Sequence, residues 1–211
     1  MQNNQPLGYF AHPSSEKGKP VLVLHAWWGL NDAAKAFCDR LAASGFVVFA
    51  PDLYHGTVVE SVAAAEAASN GLDADRARLD IAAAVAFLTE RTGRDRLAVI
   101  GFSLGAFFAL DLSETHPRNI ESVVVFYGTR PGDFSNSASA YLGHFAEVDQ
   151  FEPPSEVDRL RENLTRAGRM VSFYVYPGTG HWFFEPDRVD AFNKAAAELA
   201  WSRTLAFLQR E

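Results

Sequence analysis

The sequence has little sulfur and no long hydrophobic run. Its 211 residues include one cysteine, Cys38, and two methionines. A single cysteine excludes an internal disulfide, and so few sulfur ligands exclude a soft-metal cluster, so a reducing compartment fits the composition. No apolar run approaches the roughly 18 residues of a membrane span, and residues 1–6 lack the basic start and apolar core of a signal peptide. We therefore expect a cytoplasmic protein with no membrane partner.

An excess of positive charge is also absent. The chain has 19 Lys and Arg residues against 26 Asp and Glu residues, which gives a net charge of -7. The basic residues are scattered and form no stripe that could neutralise phosphates, so we expect no nucleic-acid partner. With 48% hydrophobic and 21% charged residues, the composition is that of a globular protein. The length predicts a single domain, 1–211, that forms a monomer or a small homo-oligomer.

Short apolar blocks, typical of buried strands, alternate with helical patterns along the chain. The predicted strands are a short edge strand at 8–11 and core strands at 21–24, 46–50, 97–100, 122–126, 140–146 and 171–176. Between them the spacing predicts helices after Asn31 or Asp32, within 58–72, over 73–92, over 156–167, and at the C-terminus to about Leu208. This alternation predicts an α/β fold, a mostly parallel doubly wound sheet with helices on both faces.

Two of these helices are predicted from apolar residues that keep helical spacing. In the helix over 73–92, these residues are Leu79, Ala82, Ala83, Ala86 and Phe87. In the C-terminal helix they are Val189, Phe192, Ala196 and Leu199. Both sets have the three- and four-residue spacing of an amphipathic helix.

The segment Gly101-Phe102-Ser103-Leu104-Gly105 directly follows the strand at 97–100 and precedes a helical pattern. Strand, tight turn and helix in this order are the context of a nucleophile elbow, in which a serine hydroxyl is exposed above the sheet. Any side chain at Gly101 or Gly105 would collide with the neighbouring strand or helix. Ser103 is therefore the candidate nucleophile, although such a motif also occurs as a plain structural turn.

A serine hydroxyl needs a base to accept its proton and an acid to orient that base. In nucleophile-elbow folds the chain order is serine, acid, histidine, and Ser103, Asp149 and His181 follow successive strands in this order. His181 lies in a glycine turn after the last strand, whereas the other histidines lie upstream: His12, His25, His55, His116 and His144. Glu147 and Glu152 compete with Asp149, whose shorter side chain better suits a fixed hydrogen bond.

An oxyanion hole would use the backbone N–H of Leu104, the residue after the nucleophile, and a second N–H from the loop after the first core strand. Trp27 is the predicted second donor. Aromatic residues near the strand ends are predicted to wall an apolar pocket: Trp28, Tyr54, Phe102, Tyr127 and Trp182. For Trp28 and Phe102 a role in the core is an equal alternative.

Five segments together make the chain resemble the dienelactone hydrolase family of the α/β-hydrolase superfamily over nearly its whole length. They are 28–31, 51–54, 101–105, Asp149 with Pro153, and 176–183. The resemblance implies an α/β-hydrolase fold with no large lid domain. It also implies a triad of Ser103, Asp149 and His181 with oxyanion donors at Leu104 and Trp27.

The chain departs from this family at the residues that serve dienelactone chemistry. The family's cysteine nucleophile and its thiolate-controlling glutamate match Ser103 and Ala26 here. Its two arginines that hold the substrate carboxylate match Gly56 and Glu185. A serine needs only a histidine base, so the first pair of changes is consistent. The second pair argues against a carboxylate substrate, since an acidic residue would repel it.

The resulting hypothesis is a serine hydrolase that cleaves a small carboxylic ester, lactone or thioester through an acyl-enzyme on Ser103, with no metal or organic cofactor. A peptidase is disfavoured because the compact chain lacks a larger lid or propeller domain. The alternative from another class is a catalytically silent hydrolase fold that serves as a ligand-binding or regulatory protein.

Overall fold

A computed structural model describes residues 5–15 and 17–210. The strands are β1 (Gly8–Ala11), β2 (Pro20–Leu24), β3 (Val47–Pro51), β4 (Leu97–Phe102), β5 (Ile120–Phe126), β6 (Ala140–Ala146) and β7 (Val171–Tyr176). The helices are α1 (Asp32–Ala43), α2 (Val62–Asn70), α3 (Ala74–Thr92), α4 (Leu104–Thr115), α5 (Pro154–Arg166) and α6 (Lys194–Leu208). Of the N-terminal segment searched for a signal peptide, residues 1–4 lie outside the described residues.

All these strands belong to one seven-stranded sheet in the order β1-β3-β2-β4-β5-β6-β7. Only β1 is antiparallel, pairing with β3 from Gly8 opposite Pro51 to Ala11 opposite Val48. The neighbours β2, β4 and β5 form the middle, with Leu24 opposite Gly101 and Phe102 opposite Phe126. The predicted mostly parallel sheet is therefore confirmed, and the carboxyl ends of its parallel strands meet at one edge.

Side chains of successive strand residues point to opposite faces of the sheet and enter two separate cores. In β2, Val21 and Val23 belong to the core under α1 and α6, whereas Leu22 and Leu24 belong to the core under α3, α4 and α5. Helices therefore cover both faces, as predicted. Within the described part of the chain, none of the helices combines the length and the apolar character needed to cross a membrane.

The helix boundaries follow from capping side chains. Asn31 accepts a hydrogen bond from the N–H of Ala34 at the start of α1, and Asp73 accepts from Asp75 and Arg76 at the start of α3. Gly93 ends α3 in the left-handed conformation with φ 65, which glycine adopts without steric cost.

The apolar residues that predict α3 and the C-terminal helix are only partly those that the structure buries; Ala196, for example, is buried. Leu79 is 71% exposed, and the face of α3 that contacts the sheet instead carries Ala77, Ile81, Ala84, Val85 and Leu88. Because every residue from 81 to 88 is apolar, several faces fit the spacing equally well. At the C-terminus, Val189 is 83% exposed and lies before the start of α6, and Leu199 is 46% exposed.

The two segments that are irregular in sequence, 58–72 and 132–140, are anchored differently. The first contains α2, whose Ala65 is fully buried. The second follows Arg130, which pairs with Asp111 at 2.8 Å and with Glu114, both on α4. Glu114 also accepts a hydrogen bond from the N–H of Phe134, a fully buried residue. Ion pairs and one buried ring thus fix the second segment against α4.

A buried histidine links the end of the sheet to α6. His144 of β6 is 0% exposed, and its ring bonds the Tyr176 hydroxyl at 2.7 Å and the Thr204 hydroxyl at 3.0 Å. Burial, assisted by the nearby positive charge of Arg203, lowers the pKa of His144 to about 3. In the folded protein the ring therefore stays neutral down to about pH 3. In the unfolded chain it already begins to bind a proton near pH ~6.5.

This lowered pKa of His144 predicts a loss of stability in acid. The unfolded chain binds a proton at His144 below pH ~6.5, but the folded protein does not until about pH 3. Within this window the free energy of unfolding therefore falls by up to about 1.4 kcal/mol for each pH unit of acidification. Urea unfolding of the wild type and His144→Gln between pH 7 and 4 should show a shallower decline for the variant. The exposed His12→Gln is the control, and equal slopes for the wild type and His144→Gln would contradict the assignment.

Candidate active site

Ser103 occupies a strained turn between β4 and α4. Its φ of 49 and ψ of -110 lie in a region that non-glycine residues rarely adopt. Its N–H donates to the carbonyl oxygen of Phe126 at 2.9 Å. A Cβ at Gly101 would lie 2.3 Å from the carbonyl oxygen of Gly105, and one at Gly105 would lie 2.1 Å from that of Leu24. The predicted steric reason for both glycines is therefore confirmed.

A chain of hydrogen bonds connects Ser103, His181 and Asp149. The Ser103 Oγ lies 3.0 Å from the His181 Nε2, and the His181 Nδ1 lies 2.7 Å from the Asp149 Oδ2. The side chains of His181 and Asp149 are 5% and 3% exposed. The three residues come from the loops after β4, β6 and β7, at the edge where the parallel strands end.

Backbone groups fix the Asp149 carboxylate. Its Oδ1 accepts hydrogen bonds from the N–H groups of Phe151 at 2.9 Å and Glu152 at 3.0 Å, which leaves Oδ2 for His181. A carboxylate at this distance requires the proton of a neutral His181 on Nδ1, so Nε2 is an acceptor facing the Ser103 hydroxyl. This is the tautomer that a general base needs.

The two rival carboxylates, which the structure also describes, bond elsewhere. The Glu147 Oε2 accepts from the N–H of Gly178 at 2.9 Å and so holds the turn before His181. The Glu152 Oε2 accepts from the Thr129 hydroxyl at 2.7 Å, and burial raises the pKa of Glu152. Both residues support the loops around the site, whereas Asp149 contacts the imidazole.

Three aromatic rings surround His181. The ring centroids of Tyr127, Phe151 and Trp182 lie 4.8, 5.0 and 5.0 Å from that of its imidazole. Tyr127 and Trp182 have positive φ angles of 36 and 65, so the backbone is strained at two of the residues whose rings pack on the histidine. These ring contacts help to bury His181, which is 6% exposed.

A buried histidine orders the loop after β2. His25 is 1% exposed; its Nδ1 lies 2.8 Å from the carbonyl oxygen of Ala26, and its Nε2 accepts from the N–H of Leu53 at 3.2 Å. Burial lowers the pKa of His25, which keeps the ring neutral as these bonds require. The ring thereby ties the loop that carries Trp27 to the loop after β3.

The backbone N–H groups of Trp27 and Leu104 donate to no acceptor within the described residues. For Leu104 the reason is geometric, because it is the first residue of α4 and has no carbonyl one turn earlier in the helix. Both groups are thus free to bind a negatively charged oxygen. Their role as oxyanion donors remains a prediction.

A largely apolar cavity of about 260 Å³ lies between α1, α6 and the 184–192 segment, and two of the five predicted pocket residues line it. Trp28 and Phe102 line it. Tyr54, Tyr127 and Trp182 do not: Tyr54 packs on His25 with ring centroids 5.2 Å apart, and the other two pack on His181. The five rings all lie near strand ends, which is why one common wall is predicted for them. Three of them instead pack on His25 or His181.

The sequence reasoning missed the rest of the cavity wall. It is formed by residues of α1, α6 and the 184–192 segment, among them Ala34, Phe37, Phe184, Phe192 and Ala197. Helical spacing marks such residues only as core, and nothing local shows that two helices leave a space between them. Residues 58–72 and 132–140 contribute no lining residue to this cavity among those described.

Glu185 is one of two acidic residues of this wall, the other being Glu198. It is partly buried, accepts a hydrogen bond from the Tyr127 hydroxyl at 2.7 Å, and lies near the Trp28 indole. Desolvation by the surrounding protein, with the charge of Asp187, raises the pKa of Glu185 to about 8.

The rival histidines occupy other surroundings. His12 and His116 lie near the surface and bond to their chain neighbours Pro13 and Thr115. His55 pairs with Asp80 at 2.7 Å on α3. Across the described residues, no group of histidine, cysteine, aspartate and glutamate side chains is arranged to hold a metal ion.

Comparisons with known proteins give a consistent result. The family model for the dienelactone hydrolase family matches residues 7–211. "Protein usf" of Aquifex pyrophilus is 32% identical over 96% of this chain and 92% of that protein. A "Putative carboxymethylenebutenolidase" of Aquifex aeolicus is 29% identical over the same shares. The crystal structure of a "Putative Dienelactone Hydrolase" from Klebsiella pneumoniae superposes with a TM-score of 0.87 at 20% identity, covering 97% of this chain and 92% of that one.

The close approach of Gly105 to β2 predicts that Gly105→Ala strongly lowers the free energy of unfolding. The added Cβ would meet the carbonyl oxygen of Leu24 at 2.1 Å, so α4 and β2 would have to separate. Gly45→Ala is the control, because Gly45 has φ +94 but no atom within 4 Å of the added carbon and should cost only about 1–2 kcal/mol of backbone strain. In urea unfolding, Gly105→Ala should lose at least about 2 kcal/mol more of the free energy of unfolding than Gly45→Ala does. Equal losses would contradict the packing argument.

Proposed function

Because the chain belongs to the dienelactone hydrolase family and has the α/β-hydrolase fold, we propose that it is a serine hydrolase. Its proposed substrate is a small carboxylic ester, lactone or thioester, cleaved through an acyl-enzyme on Ser103. The observation that carries the proposal is the chain of hydrogen bonds from Ser103 Oγ through His181 to Asp149. Hydrolysis of a lactone also agrees with the name of the Aquifex aeolicus relative, a carboxymethylenebutenolidase.

In the first half-reaction, His181 Nε2 accepts the proton of the Ser103 hydroxyl while Oγ attacks the carbonyl carbon. The resulting oxyanion accepts hydrogen bonds from the N–H groups of Leu104 and Trp27. Asp149 stabilises the imidazolium without taking its proton. When the tetrahedral intermediate collapses, the bond from carbon to the leaving oxygen or sulfur breaks, and His181 donates the proton to that atom.

In the second half-reaction, water replaces the leaving group. His181 removes a proton from this water, whose oxygen attacks the acyl carbon, and the oxyanion again faces Leu104 and Trp27. The bond to Ser103 Oγ then breaks, and His181 returns the proton to the serine. The products are a carboxylic acid and the alcohol or thiol, or one hydroxy acid from a lactone.

The substrate is uncharged at the group next to the reacting carbonyl. The positions at which dienelactone hydrolases hold a carboxylate carry Gly56 and Glu185, so the chain offers no arginine there. Glu185 lies on the cavity wall next to Phe102, so an anionic group would meet a carboxyl in place of a cation. The proposed reaction takes place in the cytoplasm and needs no partner beyond the small-molecule substrate and water.

Ser103→Ala should lower kcat/KM for p-nitrophenyl acetate by at least about 10³-fold, because the attacking oxygen is removed. Ser155→Ala, an exposed serine on α5, is the control and should keep full activity. Labelling with a fluorophosphonate, read by mass spectrometry, should modify the wild type once, at Ser103. Undiminished turnover in Ser103→Ala would refute the mechanism, and absence of both labelling and turnover would favour a silent ligand-binding protein.

Cys38 should have no part in the reaction. The residue is 0% exposed on α1, and burial raises the pKa of its thiol to about 12, so almost no thiolate exists near neutral pH. Iodoacetamide should leave the native thiol unmodified and esterase activity intact, and should alkylate Cys38 completely in denaturant. Inactivation that parallels alkylation of Cys38 in the native protein would contradict this prediction.

A further inference from the structure

His25 directly precedes the peptide unit that carries the proposed second oxyanion donor. This unit joins Ala26 to Trp27, and it contains the carbonyl of Ala26 and the N–H of Trp27. The unit is trans and therefore nearly planar, so its carbonyl oxygen and its N–H point in opposite directions. A group that holds the Ala26 carbonyl oxygen consequently also sets the direction of the Trp27 N–H.

The His25 ring holds this carbonyl oxygen. Its Nδ1 lies 2.8 Å from the Ala26 oxygen, and its Nε2 lies 3.2 Å from the backbone nitrogen of Leu53. A backbone N–H can only donate, so Nε2 is the acceptor, and the one proton of the neutral ring is on Nδ1, which donates it to Ala26. The residue is 1% exposed, and burial lowers the pKa of His25, which keeps the ring neutral.

A second donor to the same oxygen is weaker. The nitrogen of Gly29 lies 3.3 Å from the Ala26 oxygen, beyond the usual ~2.9–3.0 Å of such bonds. The His25 ring, in contrast, is itself held by the Leu53 N–H and by the ring of Tyr54, whose centroid lies 5.2 Å away. His25 is therefore the main group that fixes the peptide unit after Ala26.

The order of the strands indicates which way the Trp27 N–H points. In the sheet, β2 lies between β3 and β4. The His25 ring bonds Leu53 in the loop after β3, so the Ala26 oxygen that it holds is turned to that side. The Trp27 N–H is then directed the opposite way, to the side of β4, where Ser103 follows the strand.

Two sets of contacts place Trp27 beside the turn at the end of β4. A Cβ at Gly105 would lie 2.7 Å from the carbonyl oxygen of His25, so the segment before Trp27 touches that turn. The Trp27 ring lies 5.3 Å from the ring of Phe151, which lies 5.0 Å from the His181 imidazole. Among the described residues, no backbone acceptor takes the Trp27 N–H.

We propose that His25 is a positioning residue of the Ser103 site: its Nδ1–H holds the Ala26 carbonyl oxygen and thereby aims the Trp27 N–H at the oxyanion. The proposal rests on the proposed function, since this oxyanion forms only when Ser103 attacks a carbonyl. The bound ester carries no such charge, so a misdirected N–H destabilises the transition state and leaves substrate binding unchanged.

Two amide variants separate the aiming of this peptide unit from the joining of the loops after β2 and β3. His25→Asn places an amide nitrogen near the position of Nδ1, where it donates to Ala26, and leaves the Leu53 N–H without an acceptor. His25→Gln places an amide oxygen near the position of Nε2, where it accepts from Leu53, and leaves the Ala26 oxygen without its main donor. Both side chains are uncharged.

The two variants should differ in kcat for p-nitrophenyl acetate. His25→Gln should lower kcat about tenfold to a hundredfold with KM within about twofold, less than the ~10²–10³-fold cost of a removed oxyanion donor, because the N–H is kept but misdirected. His25→Asn should keep kcat within about threefold of the wild type, because the donor to Ala26 is kept.

Trifluoroacetone tests the oxyanion itself. The Ser103 Oγ forms a bond to its carbonyl carbon, the hydroxyl proton passes to His181, and the carbonyl oxygen becomes an oxyanion in the adduct, as in the transition state. In His25→Gln the inhibition constant should rise by the factor by which kcat/KM falls. In His25→Asn it should change as little as kcat does. Loss of the tie between the two loops alone would not produce this parallel.

His144→Gln is the matched control for the loss of a buried imidazole. His144 is 0% exposed and bonds the hydroxyls of Tyr176 and Thr204, away from the loop after β2. His144→Gln should keep kcat and the inhibition constant within about twofold, since distant sites act independently. Urea unfolding verifies that each variant is folded.

The outcomes separate this proposal from the proposed function. A loss of kcat in His25→Asn as large as in His25→Gln, an effect on KM alone, or an equal loss in His144→Gln would overturn the role of His25 only. ¹⁵N NMR of the histidine-labelled wild type needs no variant, and a proton on the His25 Nε2 would overturn that role as well. Absence of acetate turnover and of fluorophosphonate labelling at Ser103 in the wild type would instead refute the proposed function, and the role of His25 with it.

Discussion

The 2.7 Å hydrogen bond between Asp149 and His181 is the interaction on which the arrangement of the site depends. It joins the loops that follow β6 and β7, two neighbouring strands whose chain segments lie 32 residues apart at these positions. Because the other oxygen of Asp149 is held by backbone N–H groups, the imidazole has one orientation and one tautomer. The position of the Ser103 hydroxyl relative to Nε2 follows from that orientation.

The elements of the fold were predictable because most strands are short solid apolar blocks bounded by turn residues. Such blocks must be covered on both faces, which leaves few arrangements besides a parallel sheet with helices on each side. The buried face of α3 was not predictable in the same way. From Ile81 to Leu88 the chain is wholly apolar, so Leu79 fits a buried stripe by spacing although the structure exposes it. The residue that a helix buries there is decided by the sheet beneath it.

The same contrast applies to the candidate site. Ser103, Asp149 and His181 follow strands, and the topology brings strand ends together, so sequence order alone predicted their proximity. The cavity wall arises where α1, α6 and the 184–192 segment meet, and no local pattern records such a meeting. The environment of Glu185 likewise depends on Tyr127, a residue 58 positions away in the chain. Candidate catalytic residues at strand ends can therefore be predicted from the sequence, whereas the shape of the cavity cannot.

The central position of β4 has a consequence for how the site forms during folding. β4 pairs with β2, which lies more than 70 residues earlier in the chain, and with β5 across α4. Pairings between segments so distant along the chain close slowly, because the entropy of the intervening loop is lost before the contacts form. The N–H of Ser103 donates to the carbonyl oxygen of Phe126, and Gly105 of the same turn packs against the carbonyl oxygen of Leu24. A chain that is compact but has not yet paired its middle strands therefore lacks the turn that holds the proposed nucleophile. Recovery of the proposed activity after dilution from denaturant would then measure completion of the sheet rather than collapse of the chain.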